Sequence, residues 1–262
     1  MPTFKELHHS VFPLVLPNAW DTGSAMAFLA AGFLAIGTTS FGVAASSGMT
    51  DGDRSSQAGT RELIKHIGHL PVHITADVED GYADDPAEVV DFISELAAFG
   101  AAGINLEDSR LGHLVDPALV GLKISAIKER LPEMFVNARV DNFWFGEEAT
   151  VAAVLQRAAT YAEAGADGFF VPGVLGTDGI AALAAGIDLP LNVLAQPTLS
   201  IAELGDLGVH RVSSGSLPYR ASVDAGVNAV LSLRDGLPLS KATSYWDMQN
   251  RLVAFHETNG NK

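Results

Sequence analysis

The 262-residue chain contains no cysteine, and this absence excludes disulfide bonds, thiolate metal sites and cysteine nucleophiles. Basic residues are few, with 16 lysines and arginines against 31 aspartates and glutamates, so the formal net charge is −15. Such an acidic chain is poorly suited to bind nucleic acid or anionic membranes. No apolar run has membrane-spanning length, and residues 1–10 lack the pattern of a signal peptide. We therefore expect a cytoplasmic protein that binds neither nucleic acid nor membranes.

The abundant residues divide the chain into a regular alternation. Hydrophobic residues make up 48% of it, and glycines or prolines bound short apolar runs. These runs alternate eight times with longer stretches of helical periodicity. The expected strands are residues 13–18, 34–40, 71–79, 102–107, 135–141, 168–172, 190–195 and 210–214. The expected helices are residues 22–31, 58–69, 86–99, 117–130, 147–164, 176–185, 200–207 and 217–233.

The strand pattern predicts the fold class. The runs are apolar on both faces, as are the strands of parallel sheets that helices cover. Eight βα units in a chain of this length predict an α/β fold, a (β/α)8 TIM barrel, with residues 1–262 as a single domain. A doubly wound open sheet is the alternative, because periodicity alone does not exclude it.

Residues 238–262 follow the eighth unit as a helical extension. Its apolar residues recur at roughly helical spacing, and a closed barrel leaves their face without an internal partner. The protein's own barrel or a second subunit could cover this face, and we expect a homo-oligomer. The apolar residues are Tyr245, Trp246, Met248, Leu252, Val253 and Phe255.

Acidic side chains gather where two expected strands end, and the active site of such a barrel lies at those ends. The third strand runs into "ADVEDG", with Asp77 and Glu79, and the fourth into "NLEDSR", with Glu107. Mg²⁺ prefers oxygen ligands and usually takes one or two carboxylates together with water and substrate oxygens. Alternate residues of a strand point the same way, so Asp77 and Glu79 could serve one ion and Glu107 could complete its site.

Simpler interpretations of the charged residues stay open. Acids at strand ends often cap the following helix or lie in solvated loops, and we expect this of Asp80, Asp84 and Asp85. Arg139 ends the fifth strand, where it could bind an anionic group or pair with a neighbouring acid. The glycine- and serine-rich segment 38–48 could offer backbone N–H groups to a carboxylate, but it lacks the ending of a P-loop.

Six stretches in the same order along the chain resemble the isocitrate lyase/phosphoenolpyruvate mutase superfamily, in particular its carboxyvinyl-carboxyphosphonate phosphorylmutase-like and methylisocitrate lyase-like members that lack the lid cysteine. The resemblance implies a (β/α)8 barrel whose last helix is exchanged between subunits, dimers that pair into tetramers, and 2-oxo or 2-hydroxy acid substrates. It also implies Mg²⁺, with Mn²⁺ as an alternative ion, bound at Asp77, Glu79 and Glu107. The stretches are "LPNAWDTGSAMAFLAAGFLAIGTTSFGVAASSGMTDGD", "ITADVEDGYADDPAEVV", "AAGINLEDS", "FVNARVD", "AGADGFFVPG" and "GVHRVSSGSLPYRA".

The same resemblance suggests residues that contact the substrate. Thr39 and Ser40 fall where the superfamily holds the substrate carboxylate with main-chain and hydroxyl groups. Asp51 matches an acid near substrate and metal, and Arg139 matches the substrate-binding arginine. Asn192 matches a polar residue that faces the substrate.

The loop after the fourth strand, residues 108–121, departs from the superfamily. In that loop, which acts as a lid, C–C lyases carry Lys-(Lys/Arg)-Cys-Gly-His and phosphoenolpyruvate mutases carry Lys-x-Asn-Ser. This chain reads "EDSRLGHLVDPALVG", with His113 near the lysine position and Val115 near the cysteine. We expect the loop to move on ligand binding, with His113 as the nearest candidate for proton transfer.

These observations predict an enzyme but leave its reaction open. We expect a Mg²⁺-dependent lyase or hydrolase that cleaves a C–C bond of a small 2-oxo or 2-substituted dicarboxylate through an enolate. Phosphonate P–C chemistry is one alternative. A non-catalytic barrel that binds a metal and a carboxylate is the other. The expected partners are a small carboxylate substrate and further copies of the chain.

Overall fold

The computed structural model describes residues 1–173 and 175–259, so the last residues of the expected extension, 260–262, lie outside the described part. The strands are β1 Leu14–Leu16, β2 Asn18–Ala19, β3 Ala35–Thr38, β4 His73–Asp77, β5 Ala101–Glu107, β6 Ser109–Arg110, β7 His113–Leu114, β8 Phe135–Arg139, β9 Gly168–Val171, β10 Leu191–Leu194 and β11 Val209–Ser213. The helices are α1 Phe4–Leu7, α2 Thr22–Ala30, α3 Ser40–Ser46, α4 Gln57–Ile67, α5 Pro86–Phe99, α6 Pro117–Arg130, α7 Asn142–Phe145, α8 Val151–Glu163, α9 Thr177–Gly186, α10 Ile201–Asp206, α11 Leu217–Arg234 and α12 Tyr245–Asn259.

The main sheet is parallel and closes into a barrel, which confirms the predicted (β/α)8 fold. The strand order is β1-β11-β10-β9-β8-β5-β4-β3-β2. Strands β1 and β2 are two parts of one barrel strand, separated by Pro17, whose carbonyl accepts a 2.8 Å hydrogen bond from the Gly37 N–H. Since β1 pairs with β11 and β2 pairs with β3, the open-sheet alternative is excluded.

Local capping signals explain the helix boundaries that match the prediction. Helix α5 begins at Pro86 because Asp85 accepts a hydrogen bond from the Ala87 N–H at 2.9 Å, as its expected role as a cap requires. The helix ends at Gly100, which takes a left-handed conformation with φ of 111°. The prediction was wrong for α8, which starts at Val151 rather than at residue 147, with Thr150 as its N-cap.

The core lies between the sheet and the helices, and a smaller apolar cluster closes the N-terminal end of the barrel. Phe4 and Leu7 of α1 pack there on Leu16, Ala35 and Phe135. Burying one such side chain contributes about 1.5–3 kcal/mol. Among the described residues, no helix combines the length and the apolar character needed to cross a membrane.

The two last helices leave apolar surface exposed. None of the residues 217–234 of α11 is buried, and the exposed side chains include Val227 and Val230. In α12, Trp246 is exposed, whereas Phe255 packs on the core, with its ring 5.5 Å from that of His69. The sequence thus predicted an uncovered face on the C-terminal helix but missed its continuation on α11. Exchange of the last helix between subunits stays a prediction.

We predict that α11 and α12 form the interface of a homo-oligomer, a dimer of dimers. Val227 and Val230 are 53% and 66% exposed, and placing a charge at both should oppose their burial between subunits. Light scattering should give a multiple of 27.5 kDa for the wild-type chain and a smaller mass for Val227→Asp/Val230→Asp. Asn228→Asp, a charge on the same helix, serves as the control and should keep the wild-type mass. A monomeric wild-type protein at micromolar concentration would contradict the prediction.

Candidate active site

Two cavities lie at the carboxyl ends of the barrel strands. The inner cavity, of about 90 Å³, is lined by Asp77 and Ser40 among others, and the outer cavity, of about 230 Å³, by Glu79 and Glu107 among others. Asp51, Arg139 and Trp144 line both, so the two cavities adjoin. The structure therefore gathers the acids predicted from the strand ends around one connected space.

Asp77 stands at the end of β4 with one carboxylate oxygen occupied and the other without a partner. Its Oδ2 accepts hydrogen bonds from the Ser40 N–H and hydroxyl, both at 3.1 Å. Its Oδ1 is buried and has no hydrogen-bond partner among the described residues. Burial raises the pKa of Asp77, while the charge of Arg139 and the hydrogen bonds from Ser40 act in the opposite direction. A buried carboxylate oxygen with no donor is a position where a cation would be stabilised.

Glu79 sits in a sharply turned segment just after β4. Its φ is 47°, a left-handed conformation that costs a non-glycine residue roughly 1–3 kcal/mol. The side chain is held by the Ser56 hydroxyl at 2.5 Å and the Arg54 N–H at 2.8 Å. Burial raises the pKa of Glu79. The strained turn thus points a partly desolvated carboxylate into the outer cavity.

Arg139, at the end of β8, pairs with two acids at once. It donates to Glu107 through Nη1 and to Asp141 through Nε, the latter at 2.6 Å. Its guanidinium also lies 5.7 Å from the ring centroid of Trp144. Burial lowers the pKa of Arg139, but Asp141, Glu107 and Asp77 more than reverse this, so the group stays charged. Both interpretations of Arg139 fit this geometry, because the residue pairs with acids and also lines both cavities.

A second buried ion pair supports the first from behind. Asp108 accepts from Arg157 Nε at 2.6 Å and from the Tyr161 hydroxyl at 2.8 Å, and its other oxygen accepts from the Asp141 N–H at 2.8 Å. Because Asp141 also accepts a hydrogen bond from Arg139, these contacts connect Arg157 on α8 with the guanidinium of Arg139 and fix its position. Arg157 and Tyr161 were not predicted from the sequence, because they lie 49 and 53 positions from Asp108 and nothing in the local pattern of α8 marks them.

The floor beneath the inner cavity is a network of amides. Asn137 donates to Asn105 at 2.9 Å and to Asn192 at 3.0 Å. Arg211, which is fully buried, donates to Asn105 at 3.1 Å and to the Ser213 hydroxyl at the same distance. Burial lowers the pKa of Arg211 to about 9. Polar side chains thus fill the centre of the barrel and fix the floor residues in place.

The residues expected to contact the substrate take different positions. Thr39, Ser40 and Asp51 line the inner cavity, but both donor groups of Ser40 are engaged by Asp77. Asn192 lies in the floor network, where it accepts from Asn137, and it does not line either cavity. Asp51 lines both cavities, between the strand-end acids. Their substrate-binding roles stay predictions.

The expected lid contains a short β-hairpin. Strands β6 and β7 pair antiparallel around Leu111 and Gly112, which have φ of 50° and 84°. The hairpin is anchored where the Ser109 hydroxyl donates to Asp141 at 2.5 Å. His113 lies outside both cavities, with its side chain 80% exposed and its Nδ1 2.7 Å from Glu147. The structure thus does not bring His113 to the strand-end acids, and its proton-transfer role stays a prediction.

A surface ion-pair network, missed from the sequence, borders the outer cavity. Arg54 donates to both oxygens of Asp80 and also pairs with Asp84. Arg110 donates to Asp84 at 2.9 Å. The expectation that Asp80 caps a helix or is solvated was wrong, because Asp80 is 6% exposed and is bound by Arg54. Asp84 is exposed, but it is an ion-pair partner and not a cap.

The donor set fits a cation with few protein ligands. Within residues 1–173 and 175–259, no three acidic or histidine side chains are assembled as a ready metal site. Glu107 faces Arg139, and Glu79 faces Ser56, which explains why the three predicted ligands are not converged. Mg²⁺ usually binds through one or two carboxylates and keeps several waters. The unpartnered oxygen of Asp77, surrounded by further acids, is compatible with such an ion.

Comparisons with known proteins identify the family of the chain. The family model described as phosphoenolpyruvate phosphomutase matches residues 4–234. An uncharacterized protein of Mycobacterium tuberculosis is 47% identical over 253 residues, covering 97% of each chain. The Corynebacterium glutamicum protein named probable 2-methylisocitrate lyase 2 is 30% identical and covers 82% of this chain and 69% of its own.

Solved structures show the same fold. A candidate phosphonomutase of Burkholderia cenocepacia J2315 is 38% identical with a TM-score of 0.81, covering 87% of this chain and 97% of its own. A phosphonopyruvate hydrolase, crystallised with oxalate and Mg²⁺, has a TM-score of 0.82 at 23% identity and covers 98% and 99% of the two chains. With the family model spanning nearly the whole chain, the protein belongs to the phosphoenolpyruvate mutase family, within the superfamily that its motifs resemble.

Proposed function

We propose that this protein is a Mg²⁺-dependent lyase or hydrolase that cleaves a C–C bond of a small 2-oxo or 2-substituted dicarboxylate through an enolate. One observation carries the proposal. Asp77 and Arg139 line the same inner cavity. Among the described residues, the buried Asp77 Oδ1 has no hydrogen-bond partner, and the Arg139 guanidinium is held by Glu107 and Asp141. This arrangement suits a substrate that presents a carboxylate to an arginine and a neighbouring oxygen to a metal ion.

The chain's own residues would bind and orient the substrate. Arg139 is held by Glu107 and Asp141, so its planar group is oriented before the substrate arrives. Trp144 and Phe170 flank its guanidinium and give the cavity an apolar wall. A restricted space of this kind strengthens the attraction between a guanidinium and a substrate carboxylate, because water competes less.

The metal proposal rests on the strand-end acids. Asp77 would hold the ion, with Glu79 and Glu107 as the further predicted ligands and Asp51 nearby. When bound, Mg²⁺ or Mn²⁺ would supply Lewis-acid stabilisation of the negative charge that develops on the substrate. The phosphonopyruvate hydrolase with oxalate and Mg²⁺ supports this choice of ion at the level of the shared fold.

P–C chemistry is the second candidate. The matched family model is described as a phosphoenolpyruvate phosphomutase, whereas the C. glutamicum relative bears the name of a C–C lyase. The cavities themselves accept either substrate class, because a guanidinium binds carboxylate and phosphonate alike.

A substrate screen tests the proposal. The purified chain with Mg²⁺ is incubated with 2-oxo acids, malates and phosphonopyruvate. Release of pyruvate or glyoxylate from a 2-oxo acid or a malate supports the C–C lyase. Conversion of phosphonopyruvate to pyruvate and phosphate, or its isomerisation to phosphoenolpyruvate, supports P–C chemistry. Tight oxalate binding without turnover of any compound would instead indicate a binding barrel and would contradict both enzymatic proposals.

For the substrate that is turned over, Arg139→Lys should lower kcat/KM by about 10²–10³-fold. Lysine keeps the charge but loses the fork that contacts Glu107 and Asp141 and that orients the donors. Steady-state kinetics measure the effect. Arg61→Lys is the matched control, because Arg61 pairs with Glu95 on the helical surface, and it should keep wild-type kinetics. Equal kinetics for the two variants would argue against a substrate-binding role of Arg139.

We predict that Asp77→Ala abolishes Mg²⁺ binding while the barrel stays folded, since the acid ends a strand and is not part of the apolar core. Calorimetric titration measures the affinity, and circular dichroism reports the fold. In the wild-type chain, Mg²⁺ at about 100 times its Kd should also stabilise the fold by about 2.7 kcal/mol, and the variant should lose this gain. Asp84→Ala, an exposed acid at the same end of the barrel, should bind Mg²⁺ normally. Unchanged Mg²⁺ affinity in Asp77→Ala would refute the metal assignment.

His113→Ala tests the proton-transfer prediction. If His113 transfers a proton after lid closure, its loss should lower kcat by roughly 10²–10⁴-fold with little change in substrate affinity. A histidine that only shields the site predicts a loss below about tenfold. Glu147→Gln removes the partner that holds His113 in this structure, so it should affect kcat less than His113→Ala does if the imidazole itself reacts.

A further inference from the structure

Arg110 stands out because it lines the outer cavity yet has no part in the proposed chemistry. Among the described residues that line the two cavities, Arg110 and Arg139 are the only ones with a positive charge. Arg139 is already neutralised by two acids. The other charged residues that line the outer cavity are the carboxylates Asp51, Glu79, Asp80 and Glu107, of which Asp80 is paired with Arg54 and Glu107 with Arg139. A second anionic group on the substrate would therefore be repelled there unless Arg110 received it.

The partner that Arg110 now holds can be released at low cost. Arg110 donates to Asp84 from a side chain that is 42% exposed, and Asp84 is 72% exposed. Ion pairs this exposed contribute about 0–1 kcal/mol. Asp84 would not be left unpaired, because Arg54 also binds it.

The position of Arg110 is defined although its side chain has room to move. Its neighbour Ser109 is anchored to Asp141, and the Leu111 N–H approaches the Gly52 carbonyl at 3.4 Å. Arg110 lines both the outer cavity and a further cavity of about 340 Å³. A guanidinium at the mouth of the site can thus turn from Asp84 towards a ligand without a change in the barrel.

We propose that Arg110 is a specificity-determining residue that binds the second anionic group of the substrate, a carboxylate or a phosphonate. The inference rests on the proposed function, in which Arg139 and the metal take the first carboxylate and the adjacent oxygen. The proposed dicarboxylate or phosphonate substrate already has a second anionic group, and the inference places the recognition of that group on the hairpin β6–β7. A guanidinium suits this role because it binds either group through two parallel hydrogen bonds.

Matched ligands isolate the second group. Malate is lactate with an added carboxylate, and phosphonopyruvate is pyruvate with an added phosphonate. Calorimetry with saturating Mg²⁺ should show that the wild-type chain binds malate, of one or the other hand, more tightly than lactate, or phosphonopyruvate more tightly than pyruvate. Which pair shows the preference identifies the group as carboxylate or phosphonate. Equal or undetectable binding within both pairs would overturn the proposal.

Variants then test the residue. Arg110→Met should weaken the binding of the preferred dianionic ligand by about 10–100-fold, as expected for lost hydrogen bonds to a charged group, and leave its monoanionic partner within about twofold. Arg110→Lys should retain part of the preference. Arg61→Met, which removes an arginine from the helical surface, should change the affinity for neither ligand. If Arg110→Met lowered the affinity for the dianionic and the monoanionic ligand by the same factor, the proposal would be overturned.

Asp84→Asn separates binding from a purely structural latch. If Arg110 leaves Asp84 to bind the ligand, removing the charge of Asp84 should leave the affinity for the dianionic ligand unchanged or raise it. If the Arg110–Asp84 pair only holds the hairpin in place, Asp84→Asn should weaken binding as Arg110→Met does, and this result would overturn the proposal. All these measurements report binding and not turnover. Failure of the substrate screen with the dianionic preference intact would therefore count against the proposed function alone.

Discussion

Carboxylates crowd one end of this barrel, and their mutual repulsion is the constraint that the surrounding structure must satisfy. Three arginines from separate segments pair with five of them. Arg54 binds Asp80 and Asp84, Arg139 binds Glu107 and Asp141, and Arg157 binds Asp108. Within the described part of the chain, Asp77 accepts hydrogen bonds from the neutral donors of Ser40 at one carboxylate oxygen and from no donor at the other. The negative charge left after pairing is therefore concentrated where a cation is proposed to bind.

These buried ion pairs orient side chains more than they contribute to the free energy of folding. Taking two charges out of water costs several kcal/mol per ion, which their attraction often only offsets. The chain of contacts from Arg157 through Asp108 and Asp141 to Arg139 has a geometric result, since it leaves the guanidinium one orientation. Replacing this chain of contacts with apolar residues could keep the fold, but it would lose the oriented guanidinium that is proposed to bind a substrate carboxylate.

The sequence predicted what local signals encode. Helices α5 and α6 have the expected bounds because an aspartate and a proline begin each one, and the strand-end acids were found because barrel topology places them together. It could not predict partners that only the fold brings near. The burial of Asp80 depends on Arg54, 26 positions away, and α8 starts late because Glu147 is drawn to His113 and the Leu114 N–H. Tertiary contacts, and not the local sequence pattern, therefore determine the burial of Asp80 and the first residue of α8.

The division between barrel and hairpin has a consequence for how such a site can diverge. Asp77, Glu79, Glu107 and Arg139 lie at or just beyond the ends of strands that pair on both sides, so their positions are tied to the closure of the sheet. The hairpin β6–β7 pairs only with itself and meets the barrel mainly through single contacts such as that of Ser109 with Asp141. Substitutions at exposed hairpin positions such as Leu111 and His113 therefore cost the fold little, whereas those at Arg110 change the charges that line the outer cavity. The loop lacks the lysine and cysteine that the superfamily resemblance implies, and it carries Arg110 beside the outer cavity. The hairpin is therefore the segment through which the selectivity of the proposed site could change while its strand-end residues stay in place.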